Sequence, residues 1–114
     1  MEKNIFQKII DREITARIVY ENDDVCAFLD VSPQAPVHVL VVPKKPYPRI
    51  AEVPASEELL LGKLMIAAVH VAKLYKLQDR GFRIVINNGP DGGESVPHLH
   101  IHVLGGRKMA WPPG

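Results

Sequence analysis

Cysteine is almost missing from this chain: Cys26 is the only one in 114 residues. A single thiol excludes an internal disulfide and any zinc site of the CxxC type, and it fits a reducing cytosol, so a cytoplasmic protein is expected. Blocks of like charge are missing too. Lysine and arginine number 14 against 13 acidic residues, a formal net charge of +1. Non-specific nucleic-acid binding needs clustered cations that displace counterions, so no nucleic-acid partner is expected. No stretch approaches the roughly 18–20 apolar residues that a membrane span requires. The N-terminal MEKNIFQKIIDREI has scattered charges and no apolar signal region, so neither a membrane partner nor a leader is expected. Internal repeats and low-complexity segments are absent as well.

What is present suits one domain over residues 1–114, since domains usually run about 100–150 residues. A hydrophobic content of 46% supplies a core. A chain of this size buries about two-thirds of its unfolded surface, which permits a shallow site rather than a closed cavity. The 10 prolines exceed the count that average usage gives. They punctuate: Pro33 and Pro36 bracket a turn, Pro43, Pro46, Pro48 and Pro54 interrupt a connection, and Pro112 and Pro113 lie near the C-terminus.

Residues 4–11 place Ile5, Phe6, Ile9 and Ile10 on one helical face, with Asn4 as N-cap. Two β-rich runs, 17–21 and 25–30, flank Asn22-Asp23-Asp24 as a hairpin. VHVLVVP, residues 37–43, reads as a central strand covered on both faces. From Ser56 as N-cap, Leu60, Leu64, Ala67, Ala68, Val71 and Tyr75 recur at helical spacing over about five turns, with Gly81 as the stop. Strands at 82–88 and 97–104 follow, separated by the glycine-rich turn GPDGGES. The expected fold is α+β: an antiparallel meander sheet of about five strands with one long helix and a short N-terminal helix.

Three of the five histidines fall within PHLHIHVL. Alternation along a strand puts His98, His100 and His102 on one face, expected to be open, and Leu99, Ile101 and Val103 on the face toward the long helix. Glycines 89, 92 and 93 just before them let backbone amides approach an anion. Histidine can be nucleophile, acid, base or metal ligand. A plain polar face, a metal site with His38 as third ligand and Asp30 or Glu94 in support, and covalent histidine chemistry all remain open on the residues alone. His38 reads equally as a hydrogen-bonded core histidine or a partner of the triplet, and His70 as a surface or interface residue.

The run His98-Leu-His-Ile-His-Val-Leu104 resembles the signature of the histidine triad superfamily. SPQAPVHVLVVPKK, NNGPDGGESVPHLHIHVLGGR and the terminal WPPG extend that likeness to its HINT branch, the histidine triad nucleotide-binding proteins, over almost the whole chain. The resemblance implies a sheet extended across a homodimer and hydrolysis of purine nucleoside 5′-phosphoramidates through a nucleotidyl-histidine intermediate. It makes His100 the nucleophile, oriented by His98 through its backbone carbonyl. His102 contacts the phosphate and assists proton delivery to the leaving amine, and His38 corresponds to a further histidine beside the triad. Ser95 matches a hydroxyl near the leaving group, and Asn87 and Gly93 match phosphate-side contacts. Asp30 matches the carboxylate that grips the ribose, with Val31, Phe28, Ile5, Phe6 and Ile9 lining the base pocket. Trp111 reaches the partner's site. No metal and no cofactor is implied.

Two positions depart from the branch. Glu94 stands where glutamine is common, and a carboxylate there repels a phosphate unless it points away or meets a cation. Pro97 stands where an aromatic is common, at what reads as a strand's first residue. The competing functions are a non-catalytic nucleotide-binding or scaffold protein and a metal-dependent hydrolase.

Overall fold

The β-branched run VHVLVVP forms the middle strand of a five-stranded antiparallel sheet. The computed structural model describes residues 2–114, in the order α1 (Ile5–Ile10), β1 (Ile18–Glu21), β2 (Val25–Leu29), β3 (Val37–Pro43), α2 (Glu58–Leu74), β4 (Phe82–Val85) and β5 (Ile101–Gly105). Strands lie in the order β1-β2-β3-β5-β4, and every neighbouring pair is antiparallel. The first three strands meander, α2 carries the chain to the far edge, and β5 returns into the gap beside β3. This is the α+β architecture that the sequence indicates. No helix among the described residues is long and apolar enough to cross a membrane.

Alternation along β3 divides the core. Val39 and Val41 join Val25, Ala27, Leu99, Ile101 and Val103 against Leu64, Ala67, Ala68 and Val71 of α2. Leu40 and Val42 point the other way, with Cys26 and Phe28, onto Phe6 and Ile9 of α1. β3 is thus covered on both faces, as its composition predicts. Each buried branched side chain contributes about 1.5–3 kcal/mol. Packing rather than helix propensity therefore seats α1, which is too short to persist alone.

Four boundaries differ from the sequence reading. Ser56 does not cap α2: it lies in a 3-10 turn, Ala55–Glu57, and α2 starts at Glu58 with no side-chain cap. The helix stops well before Gly81. Lys76 takes a left-handed φ of 57°, its N–H bonds the Lys73 carbonyl, and the Leu77 N–H bonds the Ala72 carbonyl. That is a Schellman ending with lysine where glycine is usual. β4 ends at Val85, not at 88, because the following residues turn toward the glycine loop. β5 begins only at Ile101, because the Leu99 N–H bonds the Tyr47 carbonyl in the proline-rich connection instead of a strand. Pro97 accordingly sits in a bend before the strand.

Candidate active site

The histidine face is not open. The apolar residues of PHLHIHVL do pack toward α2, but His98 is fully buried and His100 is 4% exposed, because α1 lies over them. The Phe6 ring meets His98 edge-on at 6.1 Å and His100 at 5.0 Å between centroids.

Hydrogen bonds fix the ring protons one by one. Nε2 of His98 lies 2.8 Å from the Pro43 carbonyl, so it donates. Its Nδ1 accepts from the Asn4 side-chain amide at 3.1 Å. Nδ1 of His100 lies 2.7 Å from the His98 carbonyl and must also donate. A neutral imidazole has one donor and one acceptor, so Nε2 of His100 keeps its lone pair. On the next residue pair, the Gln34 N–H donates to Nδ1 of His38 at 3.1 Å. The His38 proton therefore sits on Nε2, which donates to Nδ1 of His102 at 2.8 Å. His102 is left with its proton on Nε2.

Burial favours these neutral forms by disfavouring charge. It lowers the pKa of His98, and that of His38 against an opposing pull from Asp30. His102 is held at about 4 by burial first, then by its histidine neighbours. Asp30 stands beside the pair: its Oδ1 accepts the Ser32 N–H at 2.8 Å, and its Oδ2 is 3.5 Å from Nε2 of His38. Potential ligand atoms of Asp30, His38 and His102 all lie within 4.8 Å of one another.

The glycine turn is braced rather than loose. Gly89 and Gly93 have φ of 73° and 76°, a region that favours glycine. The Asn87 amide donates to the Gly92 carbonyl at 2.7 Å. Glu94 does meet a cation: Nε and Nη2 of Arg49 reach its two oxygens at 2.9 and 3.1 Å, and the Gly89 N–H adds a third bond at 2.9 Å. Arg49 and the amide together hold the Glu94 carboxyl at about 2. Its charge is therefore turned toward Arg49.

Of the residues expected at the base, Phe28, Phe6 and Ile9 are buried in the smaller core cluster, while Ile5 is 49% and Val31 95% exposed. Ser95 is exposed near the histidines in sequence, and Trp111 is 82% exposed. His70 lies on the surface of α2, its ring tilted by 48° against that of Tyr20 with 4.6 Å between centroids. Sequence reasoning missed Asn4 as a partner of His98, Gln34 as the anchor of His38, and Arg49. Asn4 carried only a capping signal, and Arg49 carried none. The oddity of Glu94 was the one clue that a cation stood near.

The chain matches the HIT domain family over residues 11–109. It belongs to the histidine triad, or HIT, family. An uncharacterized HIT-like protein of Synechococcus elongatus is 55% identical over 99% of this chain and 98% of its own length. A 14 kDa zinc-binding protein of Brassica juncea is 51% identical over 96% and 98%. Among solved structures, a HIT family hydrolase from Legionella pneumophila superposes with a TM-score of 0.96 at 42% identity, covering 98% of this chain and all of that one. A histidine triad protein from Clostridium difficile gives a TM-score of 0.91 at 42% identity, over 96% and 97%. The HIT chain described here thus has the fold of HIT family hydrolases, and the three histidines are the family's namesake feature.

Proposed function

We propose that the chain is a nucleoside phosphoramidase of the HINT branch, hydrolysing purine nucleoside 5′-phosphoramidates of the AMP-amine type through a nucleotidyl-His100 intermediate. One observation carries the reading: Nδ1–H of His100 is committed to the His98 carbonyl at 2.7 Å, so Nε2 presents a lone pair in a neutral ring. A nucleophile so held needs no deprotonation before attack.

Nε2 of His100 attacks phosphorus, the P–N bond to the amine breaks, and the nitrogen leaves with its electron pair. His102, neutral and carrying its proton on Nε2, hydrogen-bonds a phosphoryl oxygen and assists proton delivery to the amine. Water then attacks phosphorus, the P–Nε2 bond breaks, and the mononucleotide departs. Amides of the braced glycine turn and Asn87 meet the phosphoryl charge without a basic patch, and Ser95 lies on the leaving-group side. Asp30 grips the ribose, and Val31 and Ile5 give the base an apolar surface, backed by Phe6, Ile9 and Phe28. We assign the active form as a homodimer, since Trp111 is 82% exposed on a single chain and a large aromatic ring is more stable against a partner.

Two competing readings have distinct signatures. A scaffold or sensor would bind AMP without turnover. A metal hydrolase is favoured by the Asp30, His38 and His102 cluster and by the zinc-binding relative, and zinc there requires the two imidazoles to separate and give up the proton between them. Two imidazole nitrogens on a tetrahedral zinc sit roughly 3.3 Å apart for Zn–N bonds of about 2.0–2.1 Å. Here His38 Nε2 and His102 Nδ1 lie 2.8 Å apart and share a proton. The test is mass spectrometry of protein quenched during turnover of an AMP phosphoramidate. A nucleotidyl adduct on the peptide bearing His100 is expected. Turnover with no adduct there, or undiminished turnover in His100→Ala, would overturn the assignment.

A further inference from the structure

We infer that Asn4 is a positioning residue for His100, acting through the ring of His98; this rests on the proposed role of His100 as nucleophile. The carbonyl that holds His100 belongs to residue 98, which lies outside the β5 ladder. No strand pairing fixes that peptide. Its N–H end is held where the Leu99 N–H bonds the Tyr47 carbonyl at 2.7 Å, and its carbonyl end by the side chain of residue 98, a fully buried imidazole tied at both nitrogens: Nε2 to the Pro43 carbonyl at the end of β3, and Nδ1 to the Asn4 amide at the start of α1.

Asn4 does two jobs with one side chain. Its Oδ1 accepts the Gln7 N–H at 2.8 Å and caps α1, while its Nδ2 donates to His98 at 3.1 Å. The donor matters because it selects the tautomer. With Nδ1 receiving a hydrogen bond, the His98 proton must sit on Nε2, where it satisfies Pro43. An acceptor in place of that amide leaves His98 satisfied only as the doubly protonated cation, with its charge beside His100. The same cap fixes the start of α1, two residues before Phe6, whose ring packs edge-on against His100. Seating of the short helix and aim of the nucleophile are therefore set at one residue.

The two functions of Asn4 separate by substitution. Asn4→Ser keeps a capping oxygen and removes the amide. Asn4→Asp keeps the oxygen and faces His98 with a carboxylate. Imidazole nitrogen NMR at neutral pH should show wild-type His98 with its proton on Nε2 alone, and Asn4→Asp with protons on both nitrogens. In Asn4→Ser the Nδ1 proton of His100 should exchange faster with solvent. In steady-state assays both variants should lose about tenfold in kcat with little change in KM, less than the about 100-fold that a full ångström of misplacement costs. A purely capping role predicts wild-type kcat in both. A proton on Nδ1 of wild-type His98, or unchanged kcat and unchanged His98 spectra in both variants, overturns the inference. Should the phosphoramidate prove not to be a substrate, the NMR comparison still decides whether Asn4 sets the His98 and His100 protons.

Discussion

Nε2 of His38 donates to Nδ1 of His102 across 2.8 Å, and a backbone amide, the Gln34 N–H at the other face of the ring, sends the His38 proton to that nitrogen, with the Asp30 carboxylate 3.5 Å away favouring the same tautomer. His38 thereby dictates that His102 presents Nε2–H toward the reaction. Replacing His38 by phenylalanine keeps a planar ring and removes the donor. The expected result is a fall in kcat of about 10- to 100-fold, at or below the low end of the about 100- to 10,000-fold that a general acid–base group itself contributes. His38→Gln, whose amide can still donate to His102, should recover part of it. Equal activity of the two variants would refute tautomer control.

Stability should depend on pH through the same histidines. Burial lowers the pKa of His98 and His38 below 6.5 and holds His102 at about 4. Above about 6.5 the rings are neutral in both folded and unfolded chains and contribute no pH dependence. Between about 6.5 and 4 the unfolded chain binds protons that the folded chain refuses, so stability falls as pH falls. Each such ring contributes at most about 1.4 kcal/mol per pH unit in that window. Denaturant titrations from pH 7 to 4 should show this slope, and His102→Gln should reduce it. A flat profile would mean that the rings titrate normally.

Glu94 is harmless to a phosphate because Arg49 holds it. Removing the guanidinium in Arg49→Ala frees a carboxylate that stays ionised, since the Gly89 N–H alone still favours the charged form. KM for a phosphoramidate should rise several-fold with kcat less affected, and the rise should shrink in added salt as the exposed charge is screened. Arg49→Ala combined with Glu94→Gln should restore much of the loss. A double variant no better than Arg49→Ala would show that Arg49 acts otherwise.

The parts legible in the sequence are those with a period or a short-range rule. The nearly unbroken apolar run VHVLVVP marked β3 as covered on both faces, and alternation in HLHIHV sent Leu99, Ile101 and Val103 toward α2. What escaped depends on partners distant in the chain. Nothing local says that α1 covers the histidines, so their face reads as open. Arg49 and Glu94 are 45 residues apart, and Asn4 and His98 are 94 apart. The end of α2 escaped for another reason: the left-handed residue is Lys76, and the usual glycine signal lies at Gly81, after the following turn.

One substitution type should have opposite effects at two glycines. A Cβ at Gly92 would lie 2.5 Å from the Asn88 carbonyl oxygen and 2.8 Å from the Asn88 nitrogen, both backbone atoms with no side-chain freedom to yield. Gly92→Ala must therefore shift the turn, and with it the Gly92 carbonyl that receives the Asn87 amide. Turnover at limiting substrate should drop at least about tenfold, the consequence of moving phosphate contacts by a fraction of an ångström. Gly62 lies inside α2 with open space where a Cβ would go. Alanine there removes the conformational freedom of glycine from a helix interior, worth up to about 1 kcal/mol of added stability. Gly62→Ala should raise the thermal midpoint and leave turnover unchanged. An active Gly92→Ala would show that the turn does not carry the phosphate contacts.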